Sequence, residues 1–372
     1  MKKVLFCVDS YFQLTGSVGL RLERYADWEA DIVIYNTTPS AKKICKRLRK
    51  EKIFRNVYFA DTLLARVGDR YSLIQKFPKY FVYLASMLWP ETGCRNILRH
   101  RLDDLYDHLL FNGYGAIVEC IFNTCYRKNS RIRCYRIDDG LGTYLSEWVK
   151  EKWKIRNMLE ELMHKACNFQ HIENYIDGYY VAEPEMMAFN PRYPVIQMPK
   201  LSRENLEFAS ALKHIFPYQI QKQLERKKII FFGTWGGEVE IDLKLLKVLK
   251  EIVPARDMLI KVHPREDKRK YEDLGIDTME QSEIPWEAVM LNQDFSNSIF
   301  ITVQSSAVFT SRMYFRKNGT DIYAYQFVEG KNYQLPDSIA GWIDLYQQKY
   351  SKDCVIVPRT LKEFKEAVRN RI

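Results

Sequence analysis

A chain of 372 residues that is 47% hydrophobic and 14% aromatic is excluded from the disordered class and holds more apolar material than one ordinary core, so two domains are expected. Its 57 Lys and Arg against 47 Asp and Glu give a net charge of +10, which suits anionic partners without choosing among nucleotides, acidic sugars, acidic lipid surfaces and nucleic acid. Eight cysteines with no Cys-x-x-Cys and no Cys/His spacing for zinc argue against a disulfide framework or a zinc site and for a reducing compartment.

The apolar run before Asp9 is too short for a signal peptide, and the longest such run, Tyr80 to Trp89, is too short to cross a bilayer. Val4 to Val8 reads as a strand, followed by a helical pattern from Phe12 to about Tyr25. Asp31 to Tyr35 is a second strand, Thr38-Pro39 opens a helix over Ser40 to Glu51, and Asn56 to Ala60 is a third strand. This β-α-β-α-β rhythm predicts a parallel, Rossmann-like sheet, although no Gly-x-Gly-x-x-Gly follows the first strand. Leu63 to Leu110 reads as mostly helical, with Tyr80, Phe81, Tyr83 and Leu84 clustered on one helix that either packs internally or leans on a membrane or partner. Gly115 to Ile121 reads as a strand, Arg131 to Ile137 as another, Trp153 to Cys167 as a helix and Tyr179 to Ala182 as a short strand.

Four prolines between Pro184 and Pro199 mark the best linker candidate, and a helix over Arg203 to Glu225, interrupted before Pro217, follows it. The rhythm then restarts. Strands are expected over Lys228 to Phe232, Met258 to Val262, Ser298 to Val303 and Asp321 to Tyr325. Helices are expected over Glu238 to Ile252, Pro285 to Leu291, Ala307 to Phe315 and Leu361 to Arg369. The fold class is therefore α/β with two Rossmann-like domains facing across a cleft, the GT-B architecture by fold-level analogy. The domains are placed at 1–190, carrying the acidic pair, and 191–345, with a terminal strand and helix at 346–372 packing back near the interface.

Ligands in such sheets sit at the carboxyl ends of strands, and four of those ends carry chemistry. The strand ending at Ile137 stops on Asp138-Asp139-Gly140, where two neighbouring acids repel and one is poised as a base. An Asp-Asp-Gly turn closing a hairpin is the plain alternative. Gly233-Thr234 opens a glycine-rich loop able to wrap a nucleotide or phosphate, though glycine turns are common. Lys261-Val262-His263-Pro264 puts one imidazole at a strand end beside a stiff proline; a lone His is as readily a satisfied structural group. Ser305-Ser306 sits where a strand meets a helix amino terminus, an anion site or an ordinary N-cap. Pro285-Trp286-Glu287 places a carboxylate near ribose hydroxyls or simply starts a helix. No acidic cluster for a metal-bound phosphate accompanies them, which favours metal-free transfer with no cofactor.

Asp138-Asp139-Gly140, His263-Pro264 and Ser305-Ser306, in that order, resemble the motifs of bacterial sialyltransferases: an acidic pair followed by Gly, a His-Pro and a late Ser pair. Ser10-Tyr11-Phe12-Gln13-Leu14 after the first strand, Lys261 to His263 and Ile284 to Glu287 resemble glycosyltransferase family 52, which includes lipooligosaccharide and capsule sialyltransferases. Members of that family often show Thr-Pro-x-Gln-Leu where this chain has Ser10-Tyr11. The resemblance spans about residues 1 to 330.

It implies an inverting, metal-independent transfer of sialic acid from CMP-sialic acid to an acceptor hydroxyl, usually on galactose. The base would be one of Asp138 and Asp139, by preference Asp139. His263 would bind or protonate the leaving phosphate, with Ser305 and Ser306 holding it. Gly233, Thr234, Lys261, Pro264 and Glu287 would complete the donor site, and Tyr11, Gln13 and Gly140 would lie on the acceptor side. CMP-Kdo is the alternative donor. Expected partners are a CMP-sugar and a lipid-anchored glycan acceptor, with the inner face of the cytoplasmic membrane and a second copy of the chain as further candidates. The basic run Lys42, Lys43, Lys46, Arg47, Arg49 and Lys50 suits an anionic membrane, or is a solvated helix face. Nucleic acid is not expected, because acids interrupt the basic runs and no binding module is present.

Overall fold

The structure, a computed structural model, describes residues 1–37, 40–60, 85–113, 115–145, 161–162, 164–201, 204–234, 236, 239–281, 284–324 and 336–372. The Thr38-Pro39 cap, the Tyr80 to Leu84 cluster, most of the Trp153 to Cys167 helix, Gly237 and Tyr325 lie outside these residues.

The first half is a seven-stranded sheet in the order β3-β2-β1-β4-β5-β6-β7, every pairing parallel. Its strands are β1 (Lys3–Val8), β2 (Glu29–Tyr35), β3 (Asn56–Ala60), β4 (His108–Phe111), β5 (Arg133–Ile137), β6 (Ile176–Val181) and β7 (Val195–Gln197). The second half is a six-stranded parallel sheet in the order β10-β9-β8-β11-β12-β13. It comprises β8 (Ile229–Phe232), β9 (Met258–Lys261), β10 (Asp277–Thr278), β11 (Ile299–Thr302), β12 (Asp321–Tyr323) and β13 (Val355–Ile356). Central strands such as Val4 to Val8 and Ile229 to Phe232 are buried throughout because helices cover both faces, which is why they read as unbroken apolar runs. Each large apolar side chain sealed this way contributes about 1.5–3 kcal/mol.

The helices are α1 (Tyr11–Glu23), α2 (Ala41–Glu51), α3 (Pro90–Leu98), α4 (Ala116–Lys128), α5 (Leu141–Leu145), α6 (Leu206–Ile215), α7 (Val239–Lys250), α8 (Trp286–Asn292), α9 (Ala307–Phe315), α10 (Asp337–Tyr350) and α11 (Leu361–Arg369). Strand order reverses between β1 and β4 in one sheet and between β8 and β11 in the other. Such switch points open a crevice at the carboxyl ends of the strands.

Several expectations are corrected. Gly115 to Ile121 is the start of α4, not a strand, and the preceding strand is β4, inside a stretch expected to be helical. Ile117 to Cys125 are all buried, so α4 lacks the polar face that gives a helix its period and resembles a strand-length apolar run. The helix expected over Arg203 to Glu225 ends at Ile215, two residues before Pro217. The first domain does not end at 190. β7 pairs with β6 inside the proline-rich stretch, and α6 packs on α1 and α2, with Arg47 Nη1 donating to Ile215 O at 3.3 Å. The segment 346–372 completes the second domain: β13 joins β12, and Phe364, Ala367 and Val368 of α11 enter its core. Its opening residues, the end of α10, meet the first domain as well, with Lys349 paired to Glu183 and Glu185, and Trp342 earlier in α10 lies 6.1 Å from the Tyr144 ring.

The eight cysteines are free, seven of them buried. Among the described residues no helix is long and apolar enough to cross a membrane.

Candidate functional site at the cleft between the two sheets

The carboxyl ends of β1, β5, β8, β9 and β11 converge on one cleft of about 320 Å³ shared by both domains. Ser10, Tyr11, Phe12 and Asp139 line it from the first domain. Gly233, Lys261, His263, Pro264, Glu287, Ser305 and Ser306 line it from the second, as do Arg265 and Trp286.

The two acids of the pair have separate fates. Asp138 is 1% exposed and does not line the cleft. Its Oδ1 accepts from Gly140 N–H at 2.8 Å. Its Oδ2 accepts from Tyr144 Oη at 2.6 Å, Tyr314 Oη at 2.9 Å and Ala182 N–H at 3.2 Å. Tyr314 belongs to α9, so Asp138 ties the two domains together; buried and bonded on both oxygens, it has the place of a structural anchor. Asp138→Ala would leave two buried phenols without their acceptor and is expected to cost roughly 3 kcal/mol or more, measured by chemical denaturation.

Asp139 is the acid that faces the cleft. Thr143 Oγ1 accepts its backbone N–H at 2.9 Å, and Gln13 Nε2 donates to its Oδ1 at 2.8 Å. Burial raises its pKa, opposed by the hydrogen bonds from Gln13 and Ser10 and by the charges of Arg136 and Arg265. Gly140 has φ +87°, and a Cβ there would meet Ser306 Oγ at 2.8 Å, so glycine lets the two domains approach at this point.

On the opposite wall, His263 Nδ1 accepts the Arg265 N–H at 3.2 Å, which leaves the proton of the neutral ring on Nε2. Burial, then the charges of Arg265 and Lys261, lower its pKa to about 4, so it is neutral near pH 7. Ser306 is the N-cap of α9 but makes no capping bond with its side chain, while Ser305 Oγ accepts the Ala307 N–H at 3.3 Å. Hydroxyls and the amino end of α9 therefore meet at the cleft, an arrangement that attracts an anion. Glu287, 6% exposed, has its pKa raised to about 7 by burial and can hydrogen-bond as donor or acceptor. Trp286 is set by Nε1 donating to Ser311 Oγ at 3.0 Å.

Other assignments change. Thr234 does not line the cleft; its N–H and hydroxyl both go to Asp242 Oδ2, at 2.6 and 2.8 Å. Gln13 is 1% exposed and is also absent from the cleft wall. Gly140 contributes through its approach to Ser306 and does not line the cavity. Sequence reasoning gave no role to Asp9, Ser10 and Arg265. All three follow strand ends and were legible by the same rule that singled out Asp139 and His263.

Among the described residues, Glu119, His164 and His171 bring ligand atoms within 4.8 Å of one another. None of them lines the cleft, and the two imidazoles stack face to face at 3.7 Å with their planes 11° apart, so their lone pairs do not converge on one point.

A family model described as alpha-2,8-polysialyltransferase (POLYST) matches residues 94–324. Among solved structures, the chain is similar to the GT-B domain of a sialyltransferase from Photobacterium damselae, at 13% identity and TM-score 0.51, covering 96% of this chain and 100% of that one. It is also similar to a UDP-glucosyltransferase from Polygonum tinctorium, at 12% identity and TM-score 0.50, covering 99% and 93%. No curated protein matches. The two-sheet architecture is thus GT-B, as expected from the sequence.

Proposed function

The chain belongs to the alpha-2,8-polysialyltransferase family, and from that premise we propose that it transfers sialic acid from CMP-sialic acid to a glycan acceptor with inversion at the anomeric carbon. The observation that carries the proposal is one cleft with a carboxylate on one wall, Asp139, and an anion-binding set on the other, His263, Ser305 and Ser306.

Asp139 takes the proton of the acceptor hydroxyl as its oxygen bonds to the anomeric carbon of the sugar. The bond from that carbon to the phosphate oxygen breaks on the opposite side, and CMP leaves with the electron pair. His263 Nε2–H, the two serine hydroxyls and the amino end of α9 stabilise the charge that develops on the phosphate. Gly233 and Glu287 take the cytidine and ribose, and Lys261 adds positive charge beside them. Tyr11 and Ser10 stand on the acceptor side.

Phosphate recognition by protein donors alone makes the transfer metal-independent. Activity is therefore expected to survive a chelator unchanged; loss that added metal restores would refute this.

The family description favours a sialyl-terminated acceptor over the galactose expected from sequence, and the net charge of +10 suits an acidic glycan. We place that acceptor on a lipid-anchored capsule or lipooligosaccharide. On α2, Lys42, Lys43, Lys46 and Lys50 are exposed and available to an anionic surface, whereas Arg47 and Arg49 bond to backbone carbonyls of Ile215 and Val57.

The test is CMP release from CMP-sialic acid, with a sialyl-terminated oligosaccharide, with lactose and with no acceptor, run beside CMP-Kdo. Release that depends on a sialyl-terminated acceptor is expected. Release only from CMP-Kdo would keep the site and replace the sugar, and none from either would overturn the proposal.

A further inference from the structure

Gln13 was expected to touch the acceptor, yet its side chain is buried under Asp139 with both ends of the amide engaged. Its Oε1 accepts the Asp9 N–H at 2.9 Å, and its Nε2 donates to Asp139 Oδ1 at 2.8 Å. A backbone N–H can only donate, so the amide cannot flip: its oxygen must face Asp9 and its NH2 must face the carboxylate. The Gln13 backbone is held in turn by Ser10 Oγ, which accepts its N–H at 3.2 Å as the N-cap of α1 and lies 3.4 Å from the same Oδ1. Among the described residues no hydrogen bond reaches Asp139 Oδ2, while the residue lines the cleft.

From this geometry we propose that Gln13 is the positioning residue of the site. It pins Oδ1 and leaves Oδ2 as the atom that takes the acceptor proton. The proposal rests on Asp139 being the base of the transfer.

Gln13 does so against unfavourable surroundings. Burial pushes Asp139 toward its neutral form, and the Asp9 carboxyl from the end of β1 repels it; Arg136 from β5 and Arg265 across the cleft oppose both. A fixed amide donor is the short-range counterweight, and it favours the charged form. The N-terminal motif thereby gains a physical reason. Ser10 caps α1, and the glutamine in the first turn of that helix reaches across the first domain to Asp139, just past the end of β5 and 126 positions later in the chain.

The experiment is a carboxyl 13C NMR titration of [13C]aspartate-labelled full-length protein, with the Asp139 signal assigned by its loss in Asp139→Asn. Wild type is compared with Gln13→Met, which keeps the buried volume, and Gln13→Glu, which keeps the shape. In Gln13→Met the Asp139 midpoint is expected to rise by about one pH unit, the size of one lost hydrogen bond to a charged group. In Gln13→Glu it is expected to rise further, because two carboxyls then share the site. In transfer assays kcat should fall at least about tenfold with the acid limb moved up and the donor KM unchanged. An Asp139 midpoint in both variants equal to wild type would overturn the inference. Should the wild type release no CMP from any CMP-sugar, the functional proposal fails, and the titration still decides whether Gln13 controls Asp139.

Discussion

Replacing Asp139 by Asn is expected to abolish transfer, lowering kcat by about 10²–10⁴-fold, while CMP binding measured by calorimetry stays close to wild type. The amide keeps the shape of the carboxylate and can still meet Gln13, but it cannot take a proton. The split between catalysis and binding follows from the layout: the anion-binding groups all stand on the second domain and Asp139 on the first. The pH dependence has a fixed sign. A base works only when deprotonated, so activity should fall as pH drops through the Asp139 pKa, and burial places that limb above the ordinary carboxylate value. Near-normal turnover of Asp139→Asn would remove it as the base.

The second large effect is expected at His263. With a pKa near 4 the ring is neutral at physiological pH, and its Nδ1 already accepts the Arg265 N–H, so in the proposed transfer it would serve the phosphate as an Nε2–H donor. His263→Ala should lower kcat by about 10²–10³-fold, the usual cost of losing one donor aimed at developing charge, and should weaken CMP binding. The free enzyme should show no activity limb at the ordinary histidine value, because the group does not titrate there. The donor's phosphodiester anion beside the ring would raise its pKa in the complex, so a limb that appears in kcat but not in kcat/KM would mark the same residue. An unchanged rate in His263→Ala would make the imidazole structural.

These two positions, with the serine pair, were legible because a parallel sheet delivers its ligand groups at strand ends and the strands announce themselves as apolar runs. Asp138 was not separable from Asp139 on that basis. Adjacent residues leaving a strand diverge, and only the positions of Tyr144, Tyr314 and Ala182 show that one carboxyl points into the protein while the other meets the cleft. Thr234 and Gln13 failed as ligand groups for a related reason: each is adjacent to the cleft in sequence, but its polar atoms are consumed by partners eight and 126 positions away.

The amino-acid sequence by itself determined the two-sheet α/β class, most of the central strands and the order of the three motifs, since periodicity, turn residues and strand-end chemistry are local properties. Tertiary structure alone decided that α4 is a helix buried on nearly every side, that β7 and α6 extend the first domain past the prolines, and that α10 bridges the halves. It also decided that Gly140 is required by the approach of Ser306, and that Asp138 is buried as an anchor while Asp139 faces the cleft. Each of those facts depends on which groups from other elements satisfy a buried polar atom or cover an apolar face, and such pairings between separate elements leave no mark in a local pattern.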